Sequence, residues 1–225
     1  MVLNKKPGKE TPRFFIGIFI IALSIYAYYM GTGMRNSPEL FLMPEAIKAT
    51  ELPCTSVSSD RLSVCIPAGI DFSGRGGTIE FYSARKQLRG AIEIIKGLPR
   101  ERQWRTSLKS PFMRVFIGDI DNMDTYELMV SILRHRYNPS LMGAKAALIP
   151  PWMKNAHGAH ILILREDKGL VFYTPEESLG LLFKPGATVM MSIKGKIPPQ
   201  VTAGIMSSIS LIIPARPGKE SMGSS

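Results

Sequence analysis

The feature that most constrains this chain is an unbroken run of 21 residues without a charge, Phe14 to Met34, reading FFIGIFIIALSIYAYYMGTGM. Coiled as a helix it spans about 30 Å, the thickness of a bilayer's hydrocarbon core. Tyr26, Tyr28 and Tyr29 gather towards its C-terminal end, where amphipathic rings favour the membrane–water boundary. Lys5, Lys6, Lys9 and Arg13 precede it, and only Arg35 follows closely before Glu39 and Glu45. The excess of positive charge keeps residues 1–13 in the cytoplasm and sends the rest across the membrane. A cleaved signal peptide is the rival reading, with Phe14 to Ile25 as its apolar region. The small residues around Ile25–Ala27 and Gly31–Gly33 fit a cleavage site poorly. The second uncharged stretch, Ile197 to Ala215, begins with two prolines and carries three serines, and reads as an amphipathic closing helix.

An anchor at 14–34 leaves a linker over 35–53, an extracytoplasmic domain over 54–213 and a flexible tail over 214–225. That domain is long enough for a core of its own. Cys54 and Cys65 bracket CTSVSSDRLSVC, an alternating segment with Ser59-Asp60 at its centre. Folded as a hairpin about that centre, Cys54 faces Cys65, and an exported domain with two cysteines favours a disulfide.

Strands are predicted over Arg61–Pro67, Thr78–Ser83, Gly90–Lys96, Phe112–Gly118 and Val189–Lys194, with a hairpin joining His160–Arg165 to Leu170–Thr174. A glycine-rich turn at Gly74, Gly76 and Gly77 separates the first two. Helices are predicted over Pro99–Leu108, Asp124–Arg136, Ser140–Leu148, Pro175–Phe183 and Pro199–Ile209. Asp124 and Glu127 form a capping pair for the second, and Pro175 with Glu176 and Glu177 opens the fourth. Hairpins mixed with helices imply an α+β domain, an antiparallel sheet covered by helices. The early LSVCIPAGIDF (62–72), a central strand hairpin and a closing IMSSISL (205–211) resemble the PsbP/Mog1-type fold. The resemblance implies an accessory protein of a membrane complex without catalytic residues. The helical pair at 124–148 departs from that group.

His157 and His160 lack a third ligand nearby, and His135 lies between two arginines, so no metal is expected. Asp119, Asp121 and Asp124 do not follow calcium-loop spacing, because the sixth position is Asp124 and the twelfth Val130. GRGGT (74–78) lacks the Lys-Ser/Thr of a phosphate loop, and there is no G-x-S-x-G. Asp71 and Glu80 belong to no convergent set. Neither cofactor nor catalysis is expected.

Charge is the remaining signal. Of the net +10, residues 85–114 carry +7, nine basic side chains against Glu93 and Glu101. Arg85, Lys86, Arg89, Arg100, Arg102, Trp104, Arg105 and Lys109 are the expected interaction surface, with Trp104 partly exposed. An acidic protein face or anionic lipid headgroups suit it, and nucleic acid does not on that side of a membrane. Asn138 is followed by Pro139, so its sequon is unusable, which favours a bacterial envelope or an organelle. The expectation is a non-catalytic accessory, assembly or scaffolding protein of a bacterial inner membrane, its domain in the periplasm. A sensor or ligand-binding module is the alternative, and an envelope hydrolase the third reading. Secretion after cleavage, or an organellar inner membrane, are the other locations.

Overall fold

The computed structural model describes residues 19–27, 37–50, 53–85, 87–98, 101–136 and 138–212. Of the expected anchor, 19–27 is helical (α1) and exposes Phe19, Ile20, Ile21, Leu23 and Ile25. The rest of 14–34 lies outside the described residues. Among those described, no helix is long and apolar enough to cross a membrane. The expected tail over 214–225 also lies outside them.

Eleven strands form two sheets among the described residues. The large one has the order β1-β7-β8-β9-β10-β6-β5-β4. Its members are β1 (Pro44–Ala46), β4 (Asp71–Arg75), β5 (Thr78–Ser83), β6 (Leu88–Ile95), β7 (His160–Leu164), β8 (Gly169–Tyr173), β9 (Glu177–Lys184) and β10 (Ala187–Lys194). Every neighbouring pair is antiparallel except β1 with β7. A small sheet joins β2 (Cys54–Ser58), β3 (Leu62–Pro67) and β11 (Ser210–Leu211). Successive side chains point to opposite faces, so each buried strand serves two cores. Leu162, Val171, Leu182 and Met191 pack with the small sheet and α6 (Pro199–Ser207). Ile161, Ile163, Leu170, Phe172 and Leu181 pack with α2 (Glu101–Ser107), α3 (Pro111–Ile117), α4 (Thr125–Arg134) and α5 (Pro139–Leu148). The domain is therefore α+β, with a mostly antiparallel sheet covered on both faces.

Four expectations need correction. Residues 111–117 are helical. Ser110 accepts the N–H of Met113 as N-cap, Pro111 starts the helix, and Gly118 ends it at a positive φ. Met113 and Ile117, four apart, are the residues buried. Residues 177–184 are a strand. Thr174 and Glu177 close a tight turn, the Thr174 N–H donating to the Glu177 carbonyl at 2.8 Å, so Pro175 initiates that turn and no helix. The glycine-rich segment before β5 is itself partly strand, β4 pairing with β5 around Gly76-Gly77. The expected linker also holds structure: a 3₁₀ turn at Pro38–Phe41, then β1 against β7.

The cysteine hairpin forms, in a register displaced by two. Ser58 faces Ser63, Cys65 faces Ser56 and Cys54 faces Pro67, because the Ser59 N–H donates to the Leu62 carbonyl at 2.7 Å and centres the turn one residue later. Cys54 and Cys65 still share a face, and the disulfide bridges them diagonally over a Cα–Cα distance of 5.5 Å. The stretch 62–72 runs along β3 into β4, and 205–211 ends α6 and becomes β11.

Candidate functional site

The basic stretch is divided by the fold. Arg85 and Arg89 are exposed at the start of β6, about 20 Å of strand from the end that leads to α2. Lys86 and Arg100 lie outside the described residues. Arg102 is exposed on α2. Arg105, by contrast, is a latch: its Nε donates to Glu101 Oε1 at 3.0 Å and its guanidinium donates to Thr125 Oγ1 at 2.7 Å. Thr125 donates in turn to Glu101 at 2.6 Å, tying α2 to the start of α4. Burial pushes the Glu101 carboxyl up, but the hydrogen bonds from Thr125 and Arg105 outweigh it and hold its pKa below the usual value. Trp104 is 7% exposed, contrary to expectation, because α2 turns its indole inward. Lys109 pairs with Asp121 at 3.3 Å, and Arg114 pairs with the same carboxylate.

The acidic and histidine candidates disperse likewise. Asp119 accepts from Asn122 and from the Asp121 N–H, while Asp124 caps α4 and binds Lys168 at 2.6 Å. His160 stands 3.8 Å from Glu45 and is exposed, His157 sits in a turn, and His135 meets the Phe116 carbonyl. Asp71 and Glu80 are exposed on neighbouring strands, in register with Tyr82 and Ser73. Among the described residues no three His, Cys, Asp or Glu side chains converge.

Three features that the sequence did not reveal stand out. The first is a cavity of about 680 Å³ between the helices and the sheet. Its floor is Phe172, Leu179, Leu181 and Met190, and its walls come from α2, α5 and the 3₁₀ turn Pro151–Met153. Trp104 and Trp152, the chain's two tryptophans, both line it, and among the described residues no charged side chain does. Gly143, Ala144 and Ala147 on α5 leave it open, and a Cβ added at Gly143 would meet no atom within 4 Å.

The second is the outer face of α3. Phe112, Val115 and Phe116 are 59%, 81% and 41% exposed. Phe112 and Phe116 share a depression with Tyr26 of α1, Arg134 and His135. Arg114 projects from the same short helix, and Lys109 precedes it.

The third is Lys145. It is fully buried in α5, and its ammonium donates to the carbonyls of Leu42, Leu133 and His135 at 2.7, 2.8 and 3.3 Å. Burial, with Arg136 nearby, draws its pKa down from 10.5 to about 8. The contact with Leu42 pins the segment after α1 to the end of α4.

Comparison of the chain with protein-family models, curated proteins and solved structures finds no match.

Proposed function

We infer that this is a non-catalytic accessory protein of the cell envelope, anchored through 14–34 in a bacterial inner membrane with its α+β domain in the periplasm. On this reading the domain lies on the bilayer through α3 and serves as an assembly or scaffolding subunit. The observation that carries it is the outward apolar set Phe112, Val115 and Phe116, accompanied by Lys109, Arg114 and Arg134 and adjoining Tyr26. Apolar side chains within a basic surround suit the headgroup boundary of an anionic leaflet. Solvent would leave them unpaired. Only residues 28–36 separate α1 from the domain, a reach of at most about 35 Å. The domain is thereby kept within a bilayer's thickness of its anchor. Arg85, Arg89 and Arg102 are then available to a partner with an acidic face.

A photoreactive amino acid in place of Val115, illuminated in intact membranes, tests this reading. A lipid adduct is expected. A protein adduct would assign α3 to a partner subunit, and absence of either would refute the reading. A reporter fused after Ser225 should stand on the periplasmic side, and a cytoplasmic reporter would overturn the topology. A second reading, an extracytoplasmic ligand-binding module, draws support from the apolar cavity under the two tryptophans.

A further inference from the structure

We propose that this cavity holds one single-chain anionic amphiphile of the fatty-acid class, its chain among Trp104, Trp152 and Phe172 and its carboxylate at the mouth. The inference rests on the ligand-binding reading and names its ligand. Size restricts the occupant first. A cavity of about 680 Å³ falls inside the range of small-molecule sites. Chemistry restricts it further. The lining is apolar and aromatic, with Gln103 and Ser107 as its only polar side chains among the described residues, and it would strand any buried charge. The body of the ligand must therefore be hydrocarbon.

The mouth has the opposite character. Gln103, Ser107, Gly143, Ala147 and Pro151 are the exposed members of the lining. Arg102, next to Gln103 on α2, is exposed too, whereas the Arg105 guanidinium, 5.7 Å from the Trp104 ring centroid, is already held by Glu101 and Thr125. One exposed cation beside an apolar chamber complements an anionic head on an apolar tail. The small residues of α5 keep that chamber open where larger ones would close it.

The two tryptophans make the test specific, since all indole fluorescence of the chain arises at this cavity. The full chain would be reconstituted in neutral phosphatidylcholine nanodiscs and titrated with a fatty acid brominated at mid-chain. Expected is saturable quenching at about one molecule per chain. It should weaken at least tenfold in Gly143→Leu, whose new side chain has room to enter the cavity without disturbing the fold. Ala147→Phe at the mouth should do the same, and Arg102→Ala should weaken binding a few-fold. Absence of saturable quenching would overturn the proposal, as would unaltered quenching in both cavity variants. Brominated phospholipid built into the disc should not quench. If it did, the indoles would face the bilayer and the cavity assignment would fall. An equally strong response to a brominated fatty alcohol would remove the anionic head. Incorporation of the chain into discs is read separately, so failure of the anchor and failure of the cavity are distinguishable.

Discussion

The two faces of the large sheet are sealed by different means. On one face a covalently closed hairpin and α6 lie flat on the strands, and glycines admit the closest approaches. Phe81 lies directly across from Gly90, where an added Cβ would stand 2.2 Å from its ring. On the other face four short helices meet the sheet through larger side chains, held by Arg105 and Lys145, and leave a chamber open. Dense packing contributes stability, whereas a void forfeits contacts on its lining and persists where something else is gained. The hairpin face therefore holds the fold, and the helical face is where binding is to be sought.

Enlarging a glycine separates the faces most sharply. Gly90→Val should cost about 3 kcal/mol, since the Phe81 ring is buried and cannot yield. Gly143→Leu on α5 should be neutral or stabilise by up to about 1 kcal/mol, because helix propensity improves and space is available. Urea midpoints of the two variants measure this, and equal midpoints would erase the distinction.

The covalent closure ranks next. Replacing Cys54 and Cys65 by serine should cost about 2–3 kcal/mol, as short disulfide loops do. Thiol labelling of unfolded, unreduced protein from its own compartment should find no free thiol. Two labelled thiols would place the closing of that face on packing alone.

Third are the polar latches of the helical face. Arg105→Ala should cost about 1–2 kcal/mol, for it removes the charged donor shared by Glu101 and Thr125, while exposed Arg102→Ala should cost under about 0.5 kcal/mol. Glu101 has a depressed pKa, so its contribution is complete above the ordinary carboxylate range and is lost as pH falls through the depressed value. Equal losses for the two arginines would show that the basic stretch is one solvated surface after all.

The hairpin face was the more legible in sequence. Period-two patterns are read directly from residues such as Thr78–Ser83, and the Cys54–Cys65 pairing needed only the right parity of register. The two-residue displacement came from the turn, whose Ser59 contact to Leu62 periodicity cannot place. Bulky residues misled over 112–118, where Ser110-Pro111 and Gly118 carried a helix signal that outweighs the β-propensity of Phe112, Val115 and Phe116. At Pro175 the same logic ran in reverse, for proline opens turns as readily as helices. The cavity was not legible at all. It joins residues from Ile95 to Met190 that come together only once α2, α5 and β9 are packed, and Trp104 is buried by that meeting.

The smallest expected effect belongs to Lys145, and it tests how the helical face is held. Burial and Arg136 disfavour its charge, while three carbonyls, two of them at the end of α4, favour it. The balance leaves the folded pKa at about 8, below the ordinary 10.5. Below about pH 7 both folded and unfolded chains hold the proton, and stability is independent of this group. Between about 8 and 10.5 the unfolded chain binds more protons than the folded one, so stability rises with pH. From pH 7 to pH 9 the gain should be about 1 kcal/mol, within the limit of about 1.4 kcal/mol per pH unit for one proton. Lys145→Met should abolish the rise while lowering stability at pH 7, because the carbonyls of Leu42, Leu133 and His135 lose their common donor. Urea midpoints of both proteins at the two pH values decide it. A parent curve as flat as that of the variant would mean that the ammonium keeps its proton throughout, and that the carbonyl cradle outweighs burial.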